Sequence, residues 1–239
     1  NQSPDLLPYK YLRIISFTNA LTSSRDVQIT ASLSIGLSND HSGTHAFSHG
    51  LEATATGIRS HAHGSKVSAT GANSYAQGSG VVASAPDAHA EGTSTRAKGT
   101  GSHSEGQLTR ASGSHSHTEG YSTIAYGEFS HAEGYITTAS ANGSHAEGYL
   151  TTVEEDALYG HAEGYLSIAR GQSSHAEGSE TLALGALSHA EGRKTSASGD
   201  YSHAQGRNTE AYGDYSFAAG INTLASGAYS FAIGSNTEA

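Results

Sequence analysis

The chain contains no cysteine, tryptophan or methionine, and only five phenylalanines among its 239 residues. Without cysteine there is no disulfide framework, and the redox compartment stays open. With 30 glycines and so few large apolar groups, too little remains for an ordinary globular core. No apolar run approaches the ~20 residues that span a bilayer, so no membrane segment is expected in these residues. Basic charge is scarce as well. Twelve Lys and Arg stand against 22 Asp and Glu, a net charge of −10 with histidines neutral, which argues against binding nucleic acid through its phosphates. The start at Asn1, with neither methionine nor a signal-peptide pattern, reads as an excerpt or a processed product.

What the chain has instead is a period. Gly36, Gly50, Gly64, Gly78, Gly92, Gly106, Gly120, Gly134 and Gly148 stand 14 residues apart. After one interval of 16, Gly164, Gly178, Gly192, Gly206, Gly220 and Gly234 resume the count. Each closes a pentapeptide that mostly reads Ser-His-Ala-Glu-Gly, as at 130–134 and 174–178. An exact internal repeat means a solenoid, whose units contact only their neighbours and bury no core alone. Residues 32–239 are therefore expected to form one repeat domain. Residues 1–31, outside the repeat and rich in bulky groups such as Leu6, Tyr9, Ile14 and Phe17, read as an N-terminal cap or connector. At the far end Thr237 and Ala239 begin another coil, so the natural chain is expected to continue.

Side chains alternate across a strand. In the pentapeptide at 130–134, Ser130, Ala132 and Gly134 share one small face, and His131 and Glu133 share the other. A second pattern, Thr-x-Ala-x-Gly, fills mid-coil, as at 123–127 and 223–227. The expected fold is all-β: a parallel β-roll of about 15 coils of 14 residues, each with two five-residue strands and tight turns aided by glycine. Two small faces looking at each other imply a thin coil, and stacking at ~4.8 Å gives a rod of roughly 70 Å. So narrow an interior buries little apolar surface, and partners are expected.

The outward positions of the two patterns behave differently. On the Thr-x-Ala pattern they vary: Leu108 and Arg110, Ile136 and Thr138, Asn208 and Glu210. On the Ser-x-Ala pattern they repeat. Histidine stands at His61, His89, His103, His117, His131, His145, His161, His175, His189 and His203. Glutamate follows two residues later at Glu91, Glu105, Glu119, Glu133, Glu147, Glu163, Glu177 and Glu191. At the ends the same positions carry Leu33, Ile35 and Phe47, then Phe217, Phe231 and Ile233. Water gives no reason for such a change at both ends; a stripe buried between chains, sealed by apolar groups, does.

These residues carry a resemblance. Ser230-Phe231-Ala232-Ile233-Gly234, Ser216-Phe217-Ala218-Ala219-Gly220 and the intervening 222–227 resemble the head repeats of trimeric autotransporter adhesins, the YadA-like family, whose pattern is Ser-Val-Ala-Ile-Gly followed by Ser/Thr-x-Ala-x-Gly. The likeness covers about residues 32–239. It implies a left-handed β-roll, a side-by-side homotrimer, an extracellular or cell-surface location and attachment to a host-cell, matrix or bacterial-surface receptor. In that family the Val and Ile positions face the trimer axis, where this chain places His and Glu. Repeats of the His-Ala-Glu type also resemble those of phage tail fibres, so the alternative is a structural shaft of such a fibre or of an extracellular filament, spacing other domains.

Stacked glutamates repel, and burying them unpaired costs several kcal/mol each. Layers in which His and Glu of neighbouring chains interlock along the axis would compensate. Carboxylates raise histidine pKa and desolvation lowers it; should pairing prevail, the trimer loses stability as pH rises through the raised value. No cofactor is expected; Zn²⁺ or Ni²⁺ on axial histidines is the minor alternative. Catalysis is not expected, because Ser130 and His131 point to opposite faces and no triad assembles locally. The 16-residue interval, with the acids Glu154, Glu155 and Asp156, reads as a surface loop, with a cation- or ligand-binding loop as its alternative. His41, His45, His49 and His63 are either a variant polar layer or loop histidines.

Overall fold

A computed structural model describes residues 33–239; the expected cap or connector over 1–31 lies outside the described residues. Fifteen five-residue strands, from Leu33–Leu37 to Phe231–Ser235, form one parallel sheet, and 13 two-residue strands form a second. Among the described residues there is no helix. Fifteen long strands enclose fourteen turns of a parallel β-solenoid.

Register follows the repeat. Each residue of a long strand pairs with its counterpart one coil on: His131 with His145, Ala132 with Ala146, Glu133 with Glu147, Gly134 with Gly148 and Tyr135 with Tyr149. The 16-residue interval leaves this intact, since His145 still pairs with His161 and Glu147 with Glu163. The two extra residues are taken up in the turns over 154–160, where Ala157 remains buried beside Val153 of the preceding short strand.

The interior is made of small columns. Ala132, Ala146, Ala162 and Ala176 stack behind the long strands, Ala125, Ala139, Val153 and Ala169 behind the short ones, all with no solvent exposure. Thr123, Thr137 and Thr151 form a third buried column. Among the described residues no fully buried side chain exceeds valine in size, at Val67, Val81 and Val153. A buried methyl contributes only about 0.8 kcal/mol, so the ladders of backbone hydrogen bonds carry much of the order.

Three expectations are corrected. The second strand is two residues long, as at Thr138–Ala139, and the first begins at the histidine, as at His131–Tyr135. The serine before it belongs to the turn: the Ser130 hydroxyl donates to the Gly127 carbonyl at 2.6 Å, and Ser74, Ser116, Ser144 and Ser202 repeat the contact.

Second, Gly134 is exposed rather than part of the small inner face. Its φ is +107°, and a Cβ there would lie 2.2 Å from the Gly148 carbonyl oxygen. Close stacking of backbone on backbone, not lack of interior room, requires this glycine.

Third, the strand-end glycines do have positive φ, but the left-handed turn positions are held mostly by other residues, with glycine there only at Gly80, Gly101 and Gly143 among the described residues. Phe129 (φ 56°) and Ile136 (φ 55°) sit in the left-handed region, and their counterparts in most coils do the same. That conformation costs roughly 1–2 kcal/mol for an L-residue. The neighbouring coil holds it, through Phe129 N–H to Ser114 O at 2.9 Å and Ile136 N–H to Tyr121 O at 2.8 Å. In the last coils asparagine takes the position. The Asn208 amide donates to Asn222 at 3.0 Å and the Asn222 amide to Asn236 at 2.9 Å.

Candidate functional site: a histidine and glutamate face

The long strands carry the histidines and glutamates outward, and the parallel register turns them into two columns running along the solenoid. The rings stack: His103 on His117 at 4.9 Å and 2°, His161 on His175 at 4.6 Å and 3°, His175 on His189 at 4.8 Å and 1°. At one end the column continues through Tyr75 and His61 to Phe47, at the other through Phe217 to Phe231, with centroid spacings of 4.7–5.1 Å. Tyr75 was legible in the sequence as the residue 14 places from both His61 and His89, and it fills the gap between them.

Six of the eight glutamates, Glu91, Glu105, Glu133, Glu147, Glu163 and Glu177, reach back to the histidine of their own strand. Nε2 to Oε2 distances are 3.2 Å at His131–Glu133, 3.4 Å at His145–Glu147 and 3.6 Å at His161–Glu163 and His175–Glu177. The approach of His to Glu, expected across neighbouring chains, is thus also present inside one chain. The face lies neither in the core nor in bulk water: the His161 and Glu163 side chains are 33% and 36% exposed. The Nε2 atoms of all ten column histidines are nonetheless shielded from solvent and make no well-aligned hydrogen bond.

Burial decides the protonation. His103, His131, His161 and His175 all have pKa values below the ordinary 6.5, and His161 is pushed down to about 4. Loss of solvent is the largest cause, repulsion from neighbouring rings comes next, and the facing glutamates oppose both without prevailing. Ring faces are covered by the rings above and below, which explains how a side chain one-third open is still poorly solvated. Pairing therefore does not raise these groups within one chain.

Ligand atoms of His161, Glu163 and His175 lie within 4.8 Å of one another, as do those of His175, Glu177 and His189. The donor set suits a zinc-like cation. The rings, however, are parallel within 3°, so their nitrogen lone pairs run side by side instead of converging on a point ~2.1 Å from each. The arrangement is not a preformed cage. Nor is there a local triad: Ser130 is buried and bonded to Gly127, behind the strand that carries His131 outward.

Phe217 is half-buried, while Ile35, Phe231 and Ile233 are 49%, 66% and 55% exposed. His49 stacks on His63 at 4.8 Å in the glutamate column, forming a variant polar layer, whereas His41 and His45 lie in the preceding connection. Of the variable pairs, Arg110, Thr138 and Glu210 are on short strands, and Leu108, Ile136 and Asn208 are the left-handed turn residues. In the longer turn, Arg170 Nε donates to Glu154 Oε1 at 2.6 Å, and Asn142, Glu155, Asp156 and Leu158 line an open hollow.

No helix among the described residues is long and apolar enough to cross a membrane. None of the curated proteins matches the chain. The family model for the YadA head domain repeat matches residues 162–188, 197–223 and 211–237. These matched coils are similar to YadA head repeats, and the same parallel strand order and buried small-residue columns run through the rest of the described solenoid.

Proposed function

We propose that the chain is the head of a non-enzymatic, homotrimeric extracellular fibre that mediates surface attachment, with three copies joined through the His–Glu face. The observation that carries the reading is the difference between the two outer faces of one solenoid. Both sheets share the register and the alanine interior, yet only the long-strand face repeats its outward residues. Large apolar groups stand exposed on that same face at both ends, at Ile35, Phe231 and Ile233. An interior no wider than valine gives a single chain little apolar burial, and association supplies more. The histidines from His61 to His203 and the glutamates from Glu91 to Glu191 then form the middle of the interface, with Phe217, Phe231 and Ile233 closing one end.

The receptor side of the function belongs to residues that vary, on the short strands and turns. Sedimentation of the intact chain at neutral pH is expected to give three times the chain mass of 24.5 kDa; a folded monomer sinks the reading. Binding of that trimer to cells, matrix or bacterial glycans tests attachment, and a trimer that binds none of them is a spacing shaft instead.

A further inference from the structure

We propose that the histidine column is a proton-operated latch on this interface: uncharged rings stack and hold the chains together, and acidification charges them and drives the chains apart. The inference rests on the reading that the His–Glu face joins copies of the chain. Its own basis is the geometry of the column. Seven successive ring pairs from His89 to His189 are stacked at 4.6–4.9 Å. The backbone ladders fix that spacing, since each histidine is paired residue for residue with the next. Charged rings cannot relax by sliding apart along the solenoid. They relieve their repulsion by swinging out toward water, and the face where water is to be had is the one proposed to be shared.

The groups that face the rings are few. His131 is faced by His117, His145, Glu119 and Glu133, and His161 by His145, His175, Glu163 and Glu177. The interior columns behind them are alanine, serine, threonine and valine, with nothing to titrate. At His203 a glutamine, Gln205, replaces the glutamate of its own strand, and at His61 the corresponding residue is His63. Each carboxylate stabilises a protonated ring, yet loss of solvent and the adjacent rings outweigh it, as the lowered pKa values of six column histidines show. For a histidine whose folded pKa lies below its unfolded value, stability is fully present above the ordinary value of 6.5. It is lost as pH falls from there toward about 4. Phenylalanine already occupies the same column, stacked at Phe217 and Phe231 and edge-on to His61 at Phe47. The column therefore accepts a ring that takes up no proton.

The test is sedimentation velocity and thermal melting of the intact chain between pH 7.5 and 4.5. It compares the unaltered protein with a variant carrying His→Phe at His103, His117, His131, His145, His161 and His175. The unaltered protein is expected to be trimeric at pH 7.5. Each proton taken up on dissociation should then weaken association by about tenfold per pH unit below the histidine pKa of the separated chains. The phenylalanine variant should stay trimeric at pH 5. Proton NMR of the imidazole C2–H signals in the unaltered trimer gives an independent readout should the variant not fold; the bulk of the column should titrate below 6.5. A trimer unchanged at pH 4.5 overturns the latch, as do column histidines titrating at or above 6.5, or a variant that dissociates at the same pH as the parent. A monomer already at pH 7.5 overturns the shared interface itself, a result distinct from any of these.

Discussion

The two sheets of this solenoid are alike on the inside and different on the outside. Behind the long strands runs Ala132, Ala146 and Ala162; behind the short strands runs Ala125, Ala139 and Val153; all are fully buried. Outside, the long strands repeat histidine and glutamate while the short ones carry Arg110, Ile124, Thr138 and Glu210. Folding of the coil needs only the small inner columns and the glycine stack, and both sheets meet that need. Uniformity on one outer face is a second requirement laid over the first, and it has to come from what that face touches.

The harshest way to break the comparison is to attack what the sheets share. Ala132→Leu and Ala139→Leu each place three extra carbons into a layer where nothing larger than valine fits. Overpacking costs about 1–3 kcal/mol in an ordinary core and more where the backbone itself must part. Both variants should lose at least about 3 kcal/mol in denaturant unfolding. A large loss in one sheet and none in the other would show that the interiors are not equivalent.

An outward pair of substitutions sharpens the difference. Glu147→Lys sets a cation beside His145, His161 and the glutamate column, whereas Thr138→Lys adds the same charge to the short-strand face. The first should weaken trimer association by at least about tenfold, and the second should stay within about 0.5 kcal/mol of the parent. Equal effects in sedimentation would remove the distinction between the faces.

Much of this was legible before any coordinates. Stride fixed the coil, and parity placed His131 and Glu133 outward and Ala132 inward. What parity misplaced was local to the turns. Ser130 looks like a strand residue until its hydroxyl is seen closing on Gly127, and Gly134 looks like an inner residue until the Gly148 carbonyl is found where its Cβ would stand. Ile136 in the left-handed region contradicts every residue-by-residue propensity. Only the neighbouring coil explains it, and a neighbour 14 residues away is invisible to a rule that reads four at a time. The site shows the same division. The columns follow from spacing, but the weight of desolvation against pairing depends on ring stacking, which composition does not reveal.

The smallest effect expected concerns the longer turn, on the variable side of the comparison. Two features hold it: Val153, buried at the end of the short strand Thr152–Val153, and the Arg170–Glu154 ion pair at 2.6 Å. The pair is short, but its side chains are 52% and 40% exposed, so solvent screens the attraction and ordering two long side chains offsets it. Arg170→Ala should therefore change unfolding free energy by no more than about 0.5 kcal/mol. Val153→Ala, which leaves a small void in the alanine column, should cost about 1–2 kcal/mol. Measured side by side in urea, the two variants ask whether the turn is held by its core or by its charges. If Arg170→Ala were the more damaging, the variable face would be supporting the coil, and its freedom to change, on which the contrast between the two faces depends, would be gone.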